Sequence, residues 1–499
     1  MIHFPPLPSR GMNIFSGLLV MAGCVAAPGP DSAVVEDRIH RVENGLLPYH
    51  AVPDQEPFAL EDRLRFYQVP GVSVAVIHDG RLEWARAWGE AEAGSGIPVT
   101  PETLFQAASI SKPVMAVGAL RLVEEGVLSL DEDVNGTLRS WRLPENGYTR
   151  SEKVTLRRLL SHSAGTTVHG FPGYADGDEV PSIIQVLDGA GPANTAPVRV
   201  DTIPGSLWRY SGGGSSVVQL MMMDALDRPF PELMDDLVLG PLGMDRSTYA
   251  QPLPPERGGE AATAHGVDGE AVPGRHHAYP EMAAAGLWTT PSDLAALALE
   301  LQGAMNGEEG RLLSPEMARE LMTVVAGSYG PGFALEEEGD EIWFSHGGAN
   351  RGFRAHFTAS ARGGQGAVVM TNGDGGGDLA QEVLRAVARE YVWGRMEPVV
   401  REAVPLGPEA RAELAGAYEF DLPDGAGTVR VELAERDGAL EARIPRVGWE
   451  GRSVRAAAPD TLFFLESGGE LVVERDGEGQ VTGLEVRGLG SPFRAERRR

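Results

Sequence analysis

Lysine is almost missing from this chain. Of its 43 basic residues only Lys112 and Lys153 are lysines, and the rest are arginines. Where a position asks only for positive charge, the sequence supplies a guanidinium, so a retained amine raises the question of what it does that arginine cannot. A lysine can give up its proton near neutral pH when its surroundings demand it, whereas arginine effectively cannot. Cysteine is scarcer still. A single Cys24 excludes an intrachain disulfide and any thiolate-clustered metal site. Basic charge as a whole is in deficit, with 71 Asp and Glu against 43 Lys and Arg and a formal net charge of −28. Such a surface repels phosphate backbones and excludes non-specific nucleic-acid binding. No apolar run reaches the roughly 20 residues a membrane-spanning helix needs. What is present is ordinary for a soluble globular protein: 42% hydrophobic and 23% charged residues in 499, length for two or three domains of about 150 residues each.

The apolar run at residues 14–27 follows Arg10 and has the form of a signal-peptide core. Within it, Met21-Ala22-Gly23-Cys24 resembles a bacterial lipobox, with Met where Leu is usual. The other reading is an ordinary secretory signal cut near Ala26 or Ala27, with Cys24 incidental. Both predict an exported protein, periplasmic or extracellular, with residues 1–27 removed or ending before a lipidated Cys24. That lipid would be its one contact with a membrane.

Two β-rich tracts, Val72 to Ile77 and Arg81 to Trp88, flank His78-Asp79-Gly80 and predict a hairpin. A helix is expected from Ser109 to about Glu125, ending at Gly126, and residues 110–325 read as helical with long Gly- and Pro-punctuated loops. Strand character returns over 341–345, 352–358 and 366–371, followed by an amphipathic helix over 378–392. The expectation is an α+β domain over 35–397, an antiparallel sheet closed by both termini, flanked by helices and interrupted by a helical insertion. Pro398 and Pro405-Leu-Gly-Pro408 mark a linker, 398–408. Residues 409–499 then form a small barrel-like β domain of short strands and tight turns, with an arginine tail (Arg494, Arg497, Arg498, Arg499) read as solvated.

Ser109-Ile110-Ser111-Lys112 has the form Ser-x-x-Lys at a helix start, where residues three apart share a face. A serine hydroxyl is a poor nucleophile unless a base takes its proton, and a buried lysine whose ammonium is disfavoured can share that task. The helix N-terminus adds positive potential where an oxyanion would form. Alone the motif carries little, because 26 serines and two lysines produce it by chance in roughly one chain in ten. Two later segments add to it: Tyr210-Ser-Gly212 on a glycine-rich loop, and His346-Gly347-Gly348-Ala349-Asn350 at an expected strand end, where the glycines let a substrate lie close to the backbone.

The order Ser-x-x-Lys, Tyr-Ser-Gly, His-Gly-Gly resembles the serine hydrolases of the class C β-lactamase, D-Ala-D-Ala carboxypeptidase and esterase group. Framing segments resemble it too: Pro70 to Val76, Thr103-Leu-Phe105, Leu159 to Gly165, Gly240 to Met244 and Ala285 to Thr290. The resemblance implies a β-lactamase/transpeptidase-like fold. It implies Ser109 as an acylated nucleophile, Lys112 and Tyr210 as the pair that activates it and later a water, the backbone N–H groups of Ser109 and Ala349 as an oxyanion hole, and His346 lining the site opposite Tyr210. No cofactor and no metal are implied, and the partner is a small-molecule or peptide substrate. Two departures stand out. Gly212 occupies the place of an Asn two residues after the Tyr, and His346-Gly347-Gly348 that of Lys-Thr-Gly. Both weaken the case for β-lactams or D-Ala-D-Ala peptides and favour esters, amides or peptides without an essential carboxylate. The competing reading is a non-catalytic protein of the penicillin-binding fold that senses cell-wall fragments or a protein partner.

Other candidates read as structural. His162 is expected to cap or pack, His276-His277 lack a third metal ligand, and Asn372 to Asp378 is a strand-to-helix turn rather than a calcium loop. No Gly-x-Ser-x-Gly elbow and no phosphate-binding loop occurs.

Overall fold

The computed structural model describes residues 32–498 apart from 54, 423–426, 448 and 489–491. The expected signal segment, Cys24 included, lies outside the described residues. The expected hairpin forms from β1 (Gly71–His78) and β2 (Arg81–Gly89). Asp79 and Gly80 join them with φ of 50° and 68°, the left-handed pair that a two-residue hairpin turn requires. Side chains of β1 alternate between two interiors. Val72, Val74 and Val76 pack with Leu379, Val383 and Leu384, while Ala75 and Ile77 join Phe105, Val114 and Phe357. A strand covered on both faces reads as a nearly unbroken apolar run, and this one does.

The remaining strands come from far along the chain: β3 (Ala334–Glu338), β4 (Glu341–Asn350), β5 (Phe353–Ser360) and β6 (Gly366–Thr371). All pairs are antiparallel, in the order β2-β1-β6-β5-β4-β3. Two expectations are corrected. β3, rich in glutamate and exposed along its outer half, gives no apolar signal. β4 does not end near Ser345 but runs through both glycines to Asn350, because its pairing with β5 continues to Asn350↔Phe353. Past Ala334↔Ser345, however, β3 no longer covers it, so residues 346–350 form a sheet edge.

The main helices are α1 (Ser32–Glu43), α2 (Leu60–Tyr67), α3 (Ser111–Glu124), α4 (Gly212–Leu226), α5 (Pro291–Met305) and α6 (Gly376–Glu390). α1, α2 and α6 cover one face of the sheet, and α3, α4 and α5 build the larger core on the other.

The C-terminal strands close into an eight-stranded antiparallel barrel. Five expected strands are there, and three were not expected: Gly416–Asp421, Trp449–Ala458 and Phe493–Arg498. The last is the arginine tail, whose Arg494 and Arg498 are exposed as expected but lie on a strand. Residues 493–498 pair with both Val481–Arg487 and Gly416–Asp421, shutting the barrel. Ala495 points inward while Arg498 reaches Glu419 across the strands at 2.8 Å, the period-2 pattern of an edge-forming strand hidden under charge. The expected linker is also partly structured, since Val399-Val400 pairs in parallel with His50-Ala51. A buried ionic cluster joins barrel and main body. Arg63 holds Glu382 through two nitrogens at 2.5 and 2.7 Å and lies 3.7 Å from Glu466, and Arg452 holds Asp378 at 2.7 Å.

Candidate active site

Ser109 sits in a single 3₁₀ turn, Ala108–Ile110, that leads directly into α3. The residue before it, Ala108, is held at φ 50°, a left-handed conformation that an alanine adopts only when its surroundings impose it. Three contacts impose it. Ser111 Oγ donates to Ala108 O at 2.5 Å and accepts from Leu287 N–H at 2.9 Å, and Tyr249 donates to Ser111 O at 2.7 Å. The opposite wall is the free edge of β4. A Cβ at Gly348 would stand 2.3 Å from Ala107 O, so glycine alone lets the strand approach the Ser109 turn this closely.

Lys112, one helical turn on, is 4% exposed. Its Nζ donates to Ser109 Oγ at 2.9 Å and to Ala284 O at 2.7 Å. Among the described residues no carboxylate compensates it, and burial pulls its amine from 10.5 down to about 7. A neutral, basic amine is therefore available near neutral pH. Tyr210 stands at the N-terminus of α4 with its ring 5.0 Å from Lys112 Nζ. The nearby Ser109 hydroxyl favours its ionised form, but burial outweighs this and raises its phenol above the usual value. The phenol is thus protonated where the amine is not.

His346 faces Tyr210 with ring centroids 6.0 Å apart. Its Nδ1–H donates to Gly347 O at 2.6 Å and its Nε2 is buried without a partner among the described residues. Burial, reinforced by Lys112, lowers its imidazole to about 3, so it is neutral. Gly347, Gly348 and Ala349 join Ser109, Tyr210 and His346 around one cleft of about 560 Å³. At Gly212, two residues past Tyr210, a Cβ would stand 3.0 Å from the Phe171 ring and 3.2 Å from His169 O, so a side chain there would need these neighbours to give by a few tenths of an ångström.

Of the expected site residues, Ser109, Tyr210, His346, Gly347, Gly348 and Ala349 line this cleft, Lys112 reaches it through Ser109, and Gly212 is not among its lining residues; the structure adds others. His162, expected to cap or pack, accepts from Ser211 N–H at 3.3 Å through Nδ1. It also packs on Tyr210 at 4.2 Å, and burial keeps its imidazole well below the usual value. Tyr329 lies 4.9 Å from His162 and 6.1 Å from His346 with its hydroxyl buried and unpartnered. Trp208, two residues before Tyr210 and exposed, carried a signal in its proximity to the motif, whereas nothing in the sequence marked Tyr329. Among the described residues no group of three or more His, Cys, Asp or Glu could hold a metal ion.

A profile of the beta-lactamase family matches residues 59–391, most of the chain and all of this cleft. The chain belongs to the beta-lactamase family. Penicillin-binding protein 4 of Amycolatopsis lactamdurans is 26% identical over 392 residues, 75% of this chain and 98% of that one. The D-aminopeptidase of Gluconobacter oxydans is 26% identical over 428 residues, covering 83% of this chain and 75% of its own. Esterase EstB of Burkholderia gladioli is 29% identical over 227 residues, 43% of this chain and 57% of the esterase. In structure, the octameric penicillin-binding protein homologue from Pyrococcus abyssi superposes with a TM-score of 0.57 at 19% identity, covering 87% of this chain and 98% of its own, which establishes the fold. Members of this beta-lactamase family, then, bear names as different as esterase and aminopeptidase, and substrate class does not follow from membership.

Proposed function

We propose that this protein is an exported serine hydrolase that acts through a covalent acyl-enzyme on esters, amides or peptides, with weak or no action on β-lactams. One observation carries the reading: an uncompensated, buried amine 2.9 Å from the Ser109 hydroxyl. Ser109 Oγ attacks the substrate carbonyl carbon as the free amine of Lys112 takes its proton. The protonated Tyr210, which lines the cleft beside Ser109, passes a proton to the leaving group and is restored from Lys112. Water then adds to the acyl carbonyl, giving its proton to the same pair, and the acid leaves as Ser109 is regenerated. The N–H groups of Ser109 and Ala349, on opposite walls of the cleft, would stabilise the oxyanion.

The preference over β-lactams rests on charge. A neutral, buried His346 offers a substrate carboxylate no cation, and Gly212 offers no amide donor. Relatives named as an esterase and a D-aminopeptidase are consistent with this choice. A screen of short acyl esters, D-amino-acid amides and β-lactams tests it. Turnover of an ester or amide well above that of any β-lactam is expected, and cephalosporin turnover matching the best ester would overturn the preference. Export rests on residues 14–27 and a lipid on Cys24 on the Met21–Cys24 segment. The mass of the mature N-terminus decides both, since an intact Met1 in the cell would contradict export.

A further inference from the structure

The cleft does not end at Ser109. It runs over the free edge of β4 to the first turns of α6, where Gly377 and Gln381 line it together with Arg354 and His356 of β5. Two glycines keep this arm open. Gly347 pairs directly with His356 across the sheet, and a Cβ on it would stand 3.8 Å from His356 Nδ1, so a larger side chain there would roof the imidazole. Gly377 is exposed, with nothing within 4 Å of the place its Cβ would take. His356 and Gln381 are half-buried and joined by one bond, from Gln381 Nε2 to His356 Nδ1 at 3.1 Å. Burial, reinforced by Arg395, lowers the imidazole to about 4. The ring is therefore neutral, and because Nδ1 accepts, its one hydrogen sits on Nε2. His356 Nε2–H and Gln381 Oε1 make no hydrogen bond among the described residues, which leaves the arm one neutral donor and one neutral acceptor. Its charge is already balanced. Among the described residues lining the cleft none is acidic, and Arg354 commits Nη1 to Asp374 at 2.9 Å and to the carbonyls of Asn350 and Phe353 at 2.6 and 2.8 Å.

We propose that this arm receives the leaving group of the substrate and selects one that carries a neutral hydroxyl, an inference that rests on the hydrolase reading above. Tyr210, which protonates the leaving group, faces His346, and the arm opens at the next residue, Gly347, so the departing part of the substrate passes into it. A hydroxyl both donates and accepts, which is what Gln381 Oε1 and His356 Nε2–H together require. A methyl in its place strands both polar groups, and a carboxylate sets its charge against the Gln381 oxygen. The alcohol leaves with the Tyr210 proton as the Ser109 ester forms, and the hydroxyl held in the arm takes no part in making or breaking bonds.

The test uses the full-length protein and butyrate esters whose leaving alcohols are linear diols of graded length. Each is compared with the methyl-ended alcohol and with the ω-hydroxy acid of equal length. At the length that fits, kcat/KM for the diol ester should exceed both by about tenfold. Gln381→Met removes the amide and Gly347→Val covers His356, and each should bring the ratio of diol to alkyl ester down to about one. General damage to the fold lowers both esters alike and leaves that ratio standing, so the ratio isolates the arm. Three results would overturn the proposal: a diol ester no faster than its alkyl counterpart at any length, a preference for the ω-carboxylate, or a ratio that survives both variants. Hydrolysis of none of these esters would overturn it too, and fluorophosphonate labelling of Ser109 then tells whether the hydrolase reading falls with it.

Discussion

Replacing Lys112 by methionine should make the protein more stable and nearly inactive at once, and the pH dependence of that stability is diagnostic. An amine that titrates at 10.5 in an unfolded chain and at about 7 in the folded one binds more protons in the unfolded state between those values. The sign follows directly: this lysine opposes folding most below pH 7, and its penalty fades as pH rises toward 10.5. At 1.36 kcal/mol per pH unit the full penalty is about 5 kcal/mol. Methionine fills a similar volume but leaves Ala284 O and the Ser109 hydroxyl without the bonds that Lys112 made, which costs about 1–3 kcal/mol. The variant should therefore gain about 2–4 kcal/mol at pH 6. At roughly 2 °C per kcal/mol for a domain of this size, its melting temperature should exceed that of the parent by about 4–8 °C. Thermal unfolding of both proteins from pH 6 to 10.5 should show the gap closing steadily and reversing near the top. Ester hydrolysis should fall by about 10²–10⁴, the contribution of a positioned base. A variant less stable than the parent at every pH, or a gap that does not change with pH, would refute an uncompensated buried amine.

Three further outcomes follow from the same geometry. For the parent enzyme kcat/KM should rise with unit slope up to about pH 7, where Lys112 loses its proton, and should then stay level through pH 9 because the Tyr210 phenol is raised; a pH–rate profile flat from 5 to 9 would contradict this assignment. Gly348→Ala should cut kcat/KM by about a hundredfold or more, because its methyl would stand 2.3 Å from Ala107 O and push β4 off the Ser109 turn; near-parental kinetics would show that the approach of strand and turn is not needed. Arg63→Ala should destabilise the protein by about 3–5 kcal/mol by stranding the buried Glu382 carboxylate, seen as a lower melting temperature, and an unchanged one would mean that the cluster between body and barrel contributes nothing.

Much of the cleft was legible in the sequence because its chemistry depends on residue type at fixed spacing. Ser109 and Lys112 are one helical turn apart, and two lysines among 43 basic residues made the amine conspicuous. The sheet was legible where it is covered on both faces, as in β1, and illegible where charge hides the alternation, as in β3 and in the strand Phe493–Arg498. Extending β4 through His346-Gly347-Gly348 needed the partner strand, because glycine pairs announce a turn locally and only the register to Phe353 shows otherwise. His162 and Tyr329 were beyond reach for a related reason: His162 meets Tyr210 from 48 residues away and Tyr329 meets His162 from 167, and each looks like ordinary packing in its own segment.

The claim beneath all of this is that Ser109 is a nucleophile. A fluorophosphonate probe added to the full-length protein at pH 8, digested and sequenced by mass spectrometry, addresses it most directly. The account predicts one label, on Ser109, lost in Ser109→Ala and slowed about a hundredfold or more in Lys112→Met. Absence of label on Ser109 under conditions that modify a control serine esterase would contradict it and leave the chain as a binding protein built on a hydrolase fold.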